Sequence, residues 1–236
     1  MVNEDGRDDD TSGGTGRFAS PPCYMHEIDP AYGGLVDPSQ TRDVARWRKA
    51  ERERLISARL ALSIEERTAH AARLAGELDV VIKRLAAGSV SLYWPFRGEP
   101  DLRPWMQSAL EGGMSIALPV VVAKGQPLEF RAWRPGAPMA RGVWNIPYPA
   151  DGEIIVPDAV IAPLVGFDTA GFRLGYGGGF FDRTLATLTP SPIAIGVGHP
   201  IAAIPTIYPQ PHDIAMDWVV IGDGNPRTRS GRSDAR

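Results

Sequence analysis

Cysteine is almost missing from this chain: Cys23 is the single thiol among 236 residues. No disulfide can form within it, so stability has to come from a packed core, and a reducing compartment is the expected setting. Long apolar runs are missing too. None approaches the roughly 20 residues that a membrane helix needs, and no membrane partner is expected. A strong excess of one charge is also lacking, since the formal net charge is -3. That gives no footing for nucleic acid. The opening stretch MVNEDGRDDD is acidic and has no apolar segment of the kind a secretory signal uses, so a cytoplasmic protein is expected. No lysine follows Lys124. A Walker A loop, which ends on a phosphate-gripping lysine, is therefore excluded from the second half of the chain.

What is present suits one sizeable domain. Hydrophobic residues make up 43% and charged residues 22%, ordinary proportions for a chain long enough to bury a core. Residues 1–17 and 222–236 combine charge, glycine and serine with almost nothing apolar, and both are expected to be mobile. Residues 18–41 read as an extension anchored by its prolines and aromatic residues, against the domain or a neighbouring subunit. Cys23, His26, Glu27 and Asp29 fall within it, but a lone Cys and a lone His lack the second pair that a structural metal site uses. The domain proper is expected over residues 42–221.

Between residues 42 and 62 strong helix formers follow one another without Gly or Pro, which predicts a long cationic helix. Ser63 with Glu66 forms a capping box. Leu74, Leu78, Val81, Ile82 and Leu85 then recur on one face as far as Gly88, predicting a second helix. From there the period changes: residues 90–94, 116–122, 128–133, 160–165, 193–197 and 218–221 read as strands, with short helices over 105–110 and 179–188. The alternation predicts a three-layer α/β/α sandwich with a mostly parallel, Rossmann-like sheet.

The most unusual local sequence is RLGYGGGFFDR, residues 173–183. It follows one predicted strand and opens a helix, the place where α/β proteins expose free amides to ligands. Glycines let successive N–H groups turn inward and approach an anion closely, so a phosphate is the expected guest. The dinucleotide fingerprint is excluded, because its third glycine would fall at Phe180. Arg173 before the glycines and Asp182 after them supply a phosphate cation and a candidate Mg²⁺ ligand.

The run PLVGFDTAGFRLGYGGGFFDR at 163–183 resembles the signature of the 5-formyltetrahydrofolate cyclo-ligase family, also called methenyltetrahydrofolate synthetases. Further pieces follow in the matching order: a basic N-terminal helix, Trp94 and Glu99 in SLYWPFRGEPD, Trp144 in GVWNIPYP, and Asp213 with Asp217 in PHDIAMDWVV. The resemblance covers about residues 42–221. It implies use of ATP and Mg²⁺ to convert 5-formyltetrahydrofolate to 5,10-methenyltetrahydrofolate, with ADP and phosphate released. The formyl oxygen would take the γ-phosphoryl group, and the folate N10 would then close the ring. Both nucleophiles belong to the substrate, which accords with a chain that has no persuasive Ser/His/Asp or Cys/His constellation.

Carried over by residue, the resemblance implies ATP contacts at Arg48, Arg52, Arg173, Leu174, Gly175, Tyr176, Gly177, Gly178, Gly179, Phe180 and Phe181. Arg48 and Arg52 lie four apart and share a helix face, although from the residues alone they read as part of a solvated basic face. The family has lysine at the first of these, where this chain has Arg48 with Lys49 beside it. Asp182 and Asp217 match the family's Mg²⁺ carboxylates. Trp94, Glu99, Trp144, Tyr176 and Phe180 match its folate positions, where aromatic walls suit flat rings and a carboxylate can hold pterin N–H groups.

The chain departs from the family at Phe180-Phe181, where two tyrosines are usual. That leaves two alternatives open: a relative with the same ATP site and another substrate, or a non-catalytic nucleotide-binding module. His199, which the family motif does not require, reads as structural. A monomer or weak homo-oligomer is expected.

Overall fold

The computed structural model describes residues 38–229. Two compact units divide the chain, Met1–Trp47 and Arg48–Arg236. Most of the first, including Cys23, His26, Glu27 and Asp29, lies outside the described residues, as do residues 230–236.

A long helix, α1 (Pro38–Leu60), runs across the boundary between the units. Helix α2 (Ile64–Leu85) starts on the expected capping box: the Ser63 hydroxyl accepts from the Glu66 amide, and the Glu66 carboxylate accepts from the Ser63 amide. It ends on Ala86 in the left-handed region. The strands β1 (Ser89–Ser91), β2 (Ser115–Val121), β3 (Leu128–Ala132), β6 (Ala159–Pro163), β9 (Ile193–Val197), β10 (Trp218–Val220) and β11 (Arg227–Thr228) build one sheet in the order β11-β10-β9-β6-β1-β2-β3. The five inner strands pair in parallel, and the two outermost pairings are antiparallel.

Alternation along β6 shows the layering. Ala159 and Ile161 join one core cluster with Leu74, Leu78, Val81 and Ile82 of α2 and with Trp105 and Met106 of α3 (Arg103–Glu111). Val160 and Ala162 join another, with Leu185 of α4 (Phe180–Thr187). With side chains alternating across a strand, the sheet is covered on both faces, which is the α/β/α sandwich that the sequence predicts.

Two small hairpins had no clear period in the sequence. One is β4 (Met139–Arg141) with β5 (Pro147–Pro149); the other is β7 (Gly166–Phe167) with β8 (Arg173–Leu174), which carries the chain from the end of β6 into the glycine loop. The expected mobile tail also needs correction in its first part. The Glu77 carboxylate accepts from the Gly222 and Gly224 amides, and β11 pairs with β10. Backbone pairing needs no apolar side chains, which is why composition misread it.

Candidate active site

Helix α1 brings one stripe of side chains to the carboxyl end of β6. Arg48, Arg52, Leu55 and Arg59 recur at helical spacing, and Arg48, Leu55 and Arg59 are buried. Each arginine finds a carbonyl or carboxylate. Arg48 donates to the Ile207 and Tyr208 carbonyls and forms a two-pronged pair with Asp213. Arg52 Nε donates to the Gly175 carbonyl at 2.6 Å. Arg59, only 4% exposed, donates to the Arg97 and Leu164 carbonyls and to the Tyr176 hydroxyl.

The glycine loop is held by the same arginines. Gly177 takes φ +92°, and a Cβ there would stand 3.3 Å from the Arg52 guanidinium. At Gly178 a Cβ would meet the Phe180 ring at 2.8 Å. The amides of Gly177, Gly178 and Gly179 donate to no other described residue. Arg183 donates to the Gly178 carbonyl and lies 5.4 Å from the Phe180 ring centre, while Arg173 lies 5.1 Å from that of Phe181. Leu174 is a core residue whose carbonyl accepts from the Val165 amide, so its side chain is not available to a ligand.

Arg173 donates to Asp182, whose other oxygen accepts from the Ile214 amide. Its Nε is buried without a hydrogen-bond partner among the described residues. Burial lowers the pKa of Arg173, while Asp182 and Asp213 oppose that shift. Burial, then Arg48, lowers that of Arg52. Arg48, Arg52 and Arg173 thus share one neighbourhood with Asp182 and Asp213. With cations outnumbering carboxylates, an orphan buried N–H and unpaired glycine amides, the cluster fits a polyphosphate. No group of three His, Cys, Asp or Glu side chains suited to a metal occurs among the described residues. A Mg²⁺ ion shared with phosphate oxygens needs only one or two carboxylates, and Asp182 and Asp213 fit that demand.

Asp217, the second expected metal carboxylate, is placed elsewhere. Its amide donates to the Ala194 carbonyl and its carboxylate accepts from the Ala194 amide, at the amino ends of β9 and β10. The arginine cluster lies toward the carboxyl ends, as the Arg59 bond to the Leu164 carbonyl just past β6 shows. Asp213, four residues earlier in the same motif, is the carboxylate that joins the arginines. The sequence signal was there in PHDIAMD, but nothing local distinguished its two aspartates.

Beside the arginine cluster three aromatic rings pack together. The Phe96 and Trp144 rings are parallel within 3°, with centres 5.9 Å apart, and Tyr176 lies 5.9 Å from the first and 5.7 Å from the second. Trp144 is 51% exposed and sits at φ +55° in the turn between β4 and β5. Glu99 backs the rings: it accepts from the Tyr176 hydroxyl at 2.9 Å and from the Phe96 amide at 2.8 Å. Burial pushes its carboxyl up to about 7, against the pull of Arg59, the Phe96 amide and the Tyr176 hydroxyl. Burial, then Glu99, raises the Tyr176 phenol well above its usual range.

Of the expected folate residues, Glu99, Trp144 and Tyr176 are therefore together. Trp94 packs edge-on against Trp133 and under Arg103 instead, and Phe180 packs against Arg183. Phe96 and Arg59, which sequence reading did not select, complete this group. His199 pairs with His70 at 4.4 Å and caps the turn over Pro200–Ala202, in keeping with a structural role.

A profile of the 5-formyltetrahydrofolate cyclo-ligase family matches residues 44–222. The chain is 31% identical over 145 residues to a 5-formyltetrahydrofolate cyclo-ligase of Mycolicibacterium smegmatis, covering 58% of this chain and 75% of that one. It is 29% identical over 149 residues to that of Haemophilus influenzae, covering 60% and 80%. Among solved structures, the 5,10-methenyltetrahydrofolate synthetase of Aquifex aeolicus superposes with a TM-score of 0.69 at 28% identity, covering 79% of this chain and 95% of that one. The fold is also that of the Mycoplasma pneumoniae synthetase, with a TM-score of 0.62 at 20% identity, covering 75% and 99%.

Proposed function

The chain belongs to the 5-formyltetrahydrofolate cyclo-ligase family, and from that premise we propose that it uses ATP and Mg²⁺ to close 5-formyltetrahydrofolate into 5,10-methenyltetrahydrofolate, releasing ADP and phosphate. One observation carries this reading furthest. Tyr176 belongs to the glycine loop, yet its ring packs with Phe96 and Trp144 and its hydroxyl bonds Glu99 and Arg59. A single residue thus joins a cradle suited to phosphate with an aromatic and carboxylate surface suited to flat, N–H-bearing rings.

In this reading the loop amides and Arg48, Arg52 and Arg173 hold the triphosphate, and Asp182 with Asp213 would hold the Mg²⁺ ion, which supplies charge neutralisation when bound. The cation cluster stabilises charge that develops during phosphoryl transfer. Phe96, Trp144 and Tyr176 hold the pterin and aminobenzoyl rings so that the formyl oxygen points toward the phosphate side. Glu99, balanced near neutrality, pairs with the N–H edge of the pterin. The two rings Phe180 and Phe181 carry guanidinium groups on their faces, a task that requires no hydroxyl.

The test is spectrophotometric. Purified protein with 5-formyltetrahydrofolate, Mg²⁺ and ATP should show rising absorbance from the conjugated methenyl product, and none when ATP is omitted. Asp182→Asn should cut this rate at least about tenfold, and it should lower the thermal midpoint because it takes the charge from the buried pair with Arg173. Protein that binds ATP but gives no rise would act on another substrate.

A further inference from the structure

Arg97 stands at the exposed edge of the aromatic cluster, beside Phe96, in a conformation that its side chain disfavours. It takes φ +46° and Gly98 takes φ +75°, two left-handed residues in succession. Glycine adopts that region freely and asparagine tolerates it by bonding locally, but an arginine gains nothing there from its own backbone. The surroundings impose the conformation. The Arg97 carbonyl accepts from Arg59 Nε at 3.0 Å, and the Glu99 amide closes the turn onto the Phe96 carbonyl at 3.1 Å. Backbone strain of this kind persists only where the surroundings over-determine it, and it clusters at functional sites.

The Arg97 side chain is exposed. Its guanidinium lies 5.1 Å from the centre of the Phe96 ring, the ring that runs parallel to Trp144. It forms no ion pair with any described carboxylate, whereas Arg103 nearby in sequence is matched by Asp101. A Cβ on Gly98 would meet an Arg67 nitrogen at 3.5 Å, so a second guanidinium flanks the same turn. The turn beside the aromatic cluster is cationic, and its Arg97 lies over an aromatic ring without a carboxylate partner among the described residues.

A reduced folate has a flat end and an anionic end. Its pterin and aminobenzoyl rings suit the aromatic cluster, and its terminal glutamate carries two carboxylates that cannot be buried unpaired and must therefore stay at the exposed edge. A planar guanidinium is the side chain that matches a carboxylate in two-pronged fashion. We propose that Arg97 receives the glutamate carboxylates of the substrate and makes the enzyme selective for folates that carry that tail. This inference rests on the cyclo-ligase reading above.

Arg97→Gly separates recognition from folding, because glycine relieves the left-handed strain and should leave the thermal midpoint unchanged or higher. Steady-state rates are measured for wild type, Arg97→Gly and Arg97→Lys on 5-formyltetrahydrofolate and on 5-formyltetrahydropteroate, which lacks the glutamate. The expected result is a KM for the glutamate-bearing substrate about tenfold higher in Arg97→Gly, partly restored by lysine, with kcat and the KM for ATP within about twofold. On the pteroate substrate wild type and Arg97→Gly should have the same KM. Equal KM values on both substrates, or an equal rise on both, overturn the assignment of Arg97 while the cyclo-ligase reading stands. If the wild type turns over neither substrate, the cyclo-ligase reading falls and the assignment with it.

Discussion

Glu99 carries a carboxyl group into a place that solvent barely reaches, and the consequences can be read at the scale of this one residue. Its ordinary pKa is 4.5 and burial raises it to about 7. Between those values the folded chain keeps a proton that the unfolded chain has released, so stability falls as pH rises through the window. Glu99→Gln removes the titration. Its thermal midpoint relative to wild type should climb between pH 5 and pH 8, by a margin worth at most about 3 kcal/mol. A difference that stays flat with pH would mean that the carboxyl ionises at its ordinary value. Sequence motif alone pointed to Glu99. Its partners were not legible: Arg59 is 40 positions away in the chain, and its bond to Tyr176 exists only because α1 crosses the end of β6.

The glycine loop is the element in which local sequence said most. Four glycines between Arg173 and Asp182 predicted a turn with inward-facing amides, and the loop leads from β8 into α4 as the order of elements required. The details came from neighbours. Gly178 has no room for a Cβ because the Phe180 ring stands 2.8 Å from where it would be, and Arg183 leans on that ring. Gly178→Val should therefore displace the ring and the arginine together. We expect at least a tenfold loss of ATP affinity by calorimetric titration, on the order of the loss of one charge-assisted contact. Undiminished affinity would reduce the loop to a chain reversal. The β4–β5 hairpin was the hardest element to foresee. Proline and glycine punctuate it, and its Trp144 matters only through stacking on Phe96.

For the molecule as a whole, the sheet decides which of two aspartates faces the phosphate-like cluster. Asp213 meets Arg48 at the site, whereas Asp217 holds Ala194 at the amino ends of β9 and β10. Substitution should separate the two. Asp217→Ala strands a buried amide, which costs about 1–3 kcal/mol and lowers the thermal midpoint by several degrees, with no change in the Mg²⁺ concentration needed for half-maximal turnover. Asp213→Asn should raise that concentration, and it should lower the thermal midpoint as well, because it takes the charge from the buried pair with Arg48. The opposite pattern would return Asp217 to the metal. Hydrophobic periodicity and turn chemistry were enough to determine the strands, the main helices and the layered α/β class, because those follow from residues within a turn or two of one another. Motif spelling was enough to point to the family. Only the tertiary structure decided which arginines of α1 meet the loop, which aromatic rings pack together and which aspartate joins them, since each depends on chain segments brought together from more than 30 positions apart by burial of a common core.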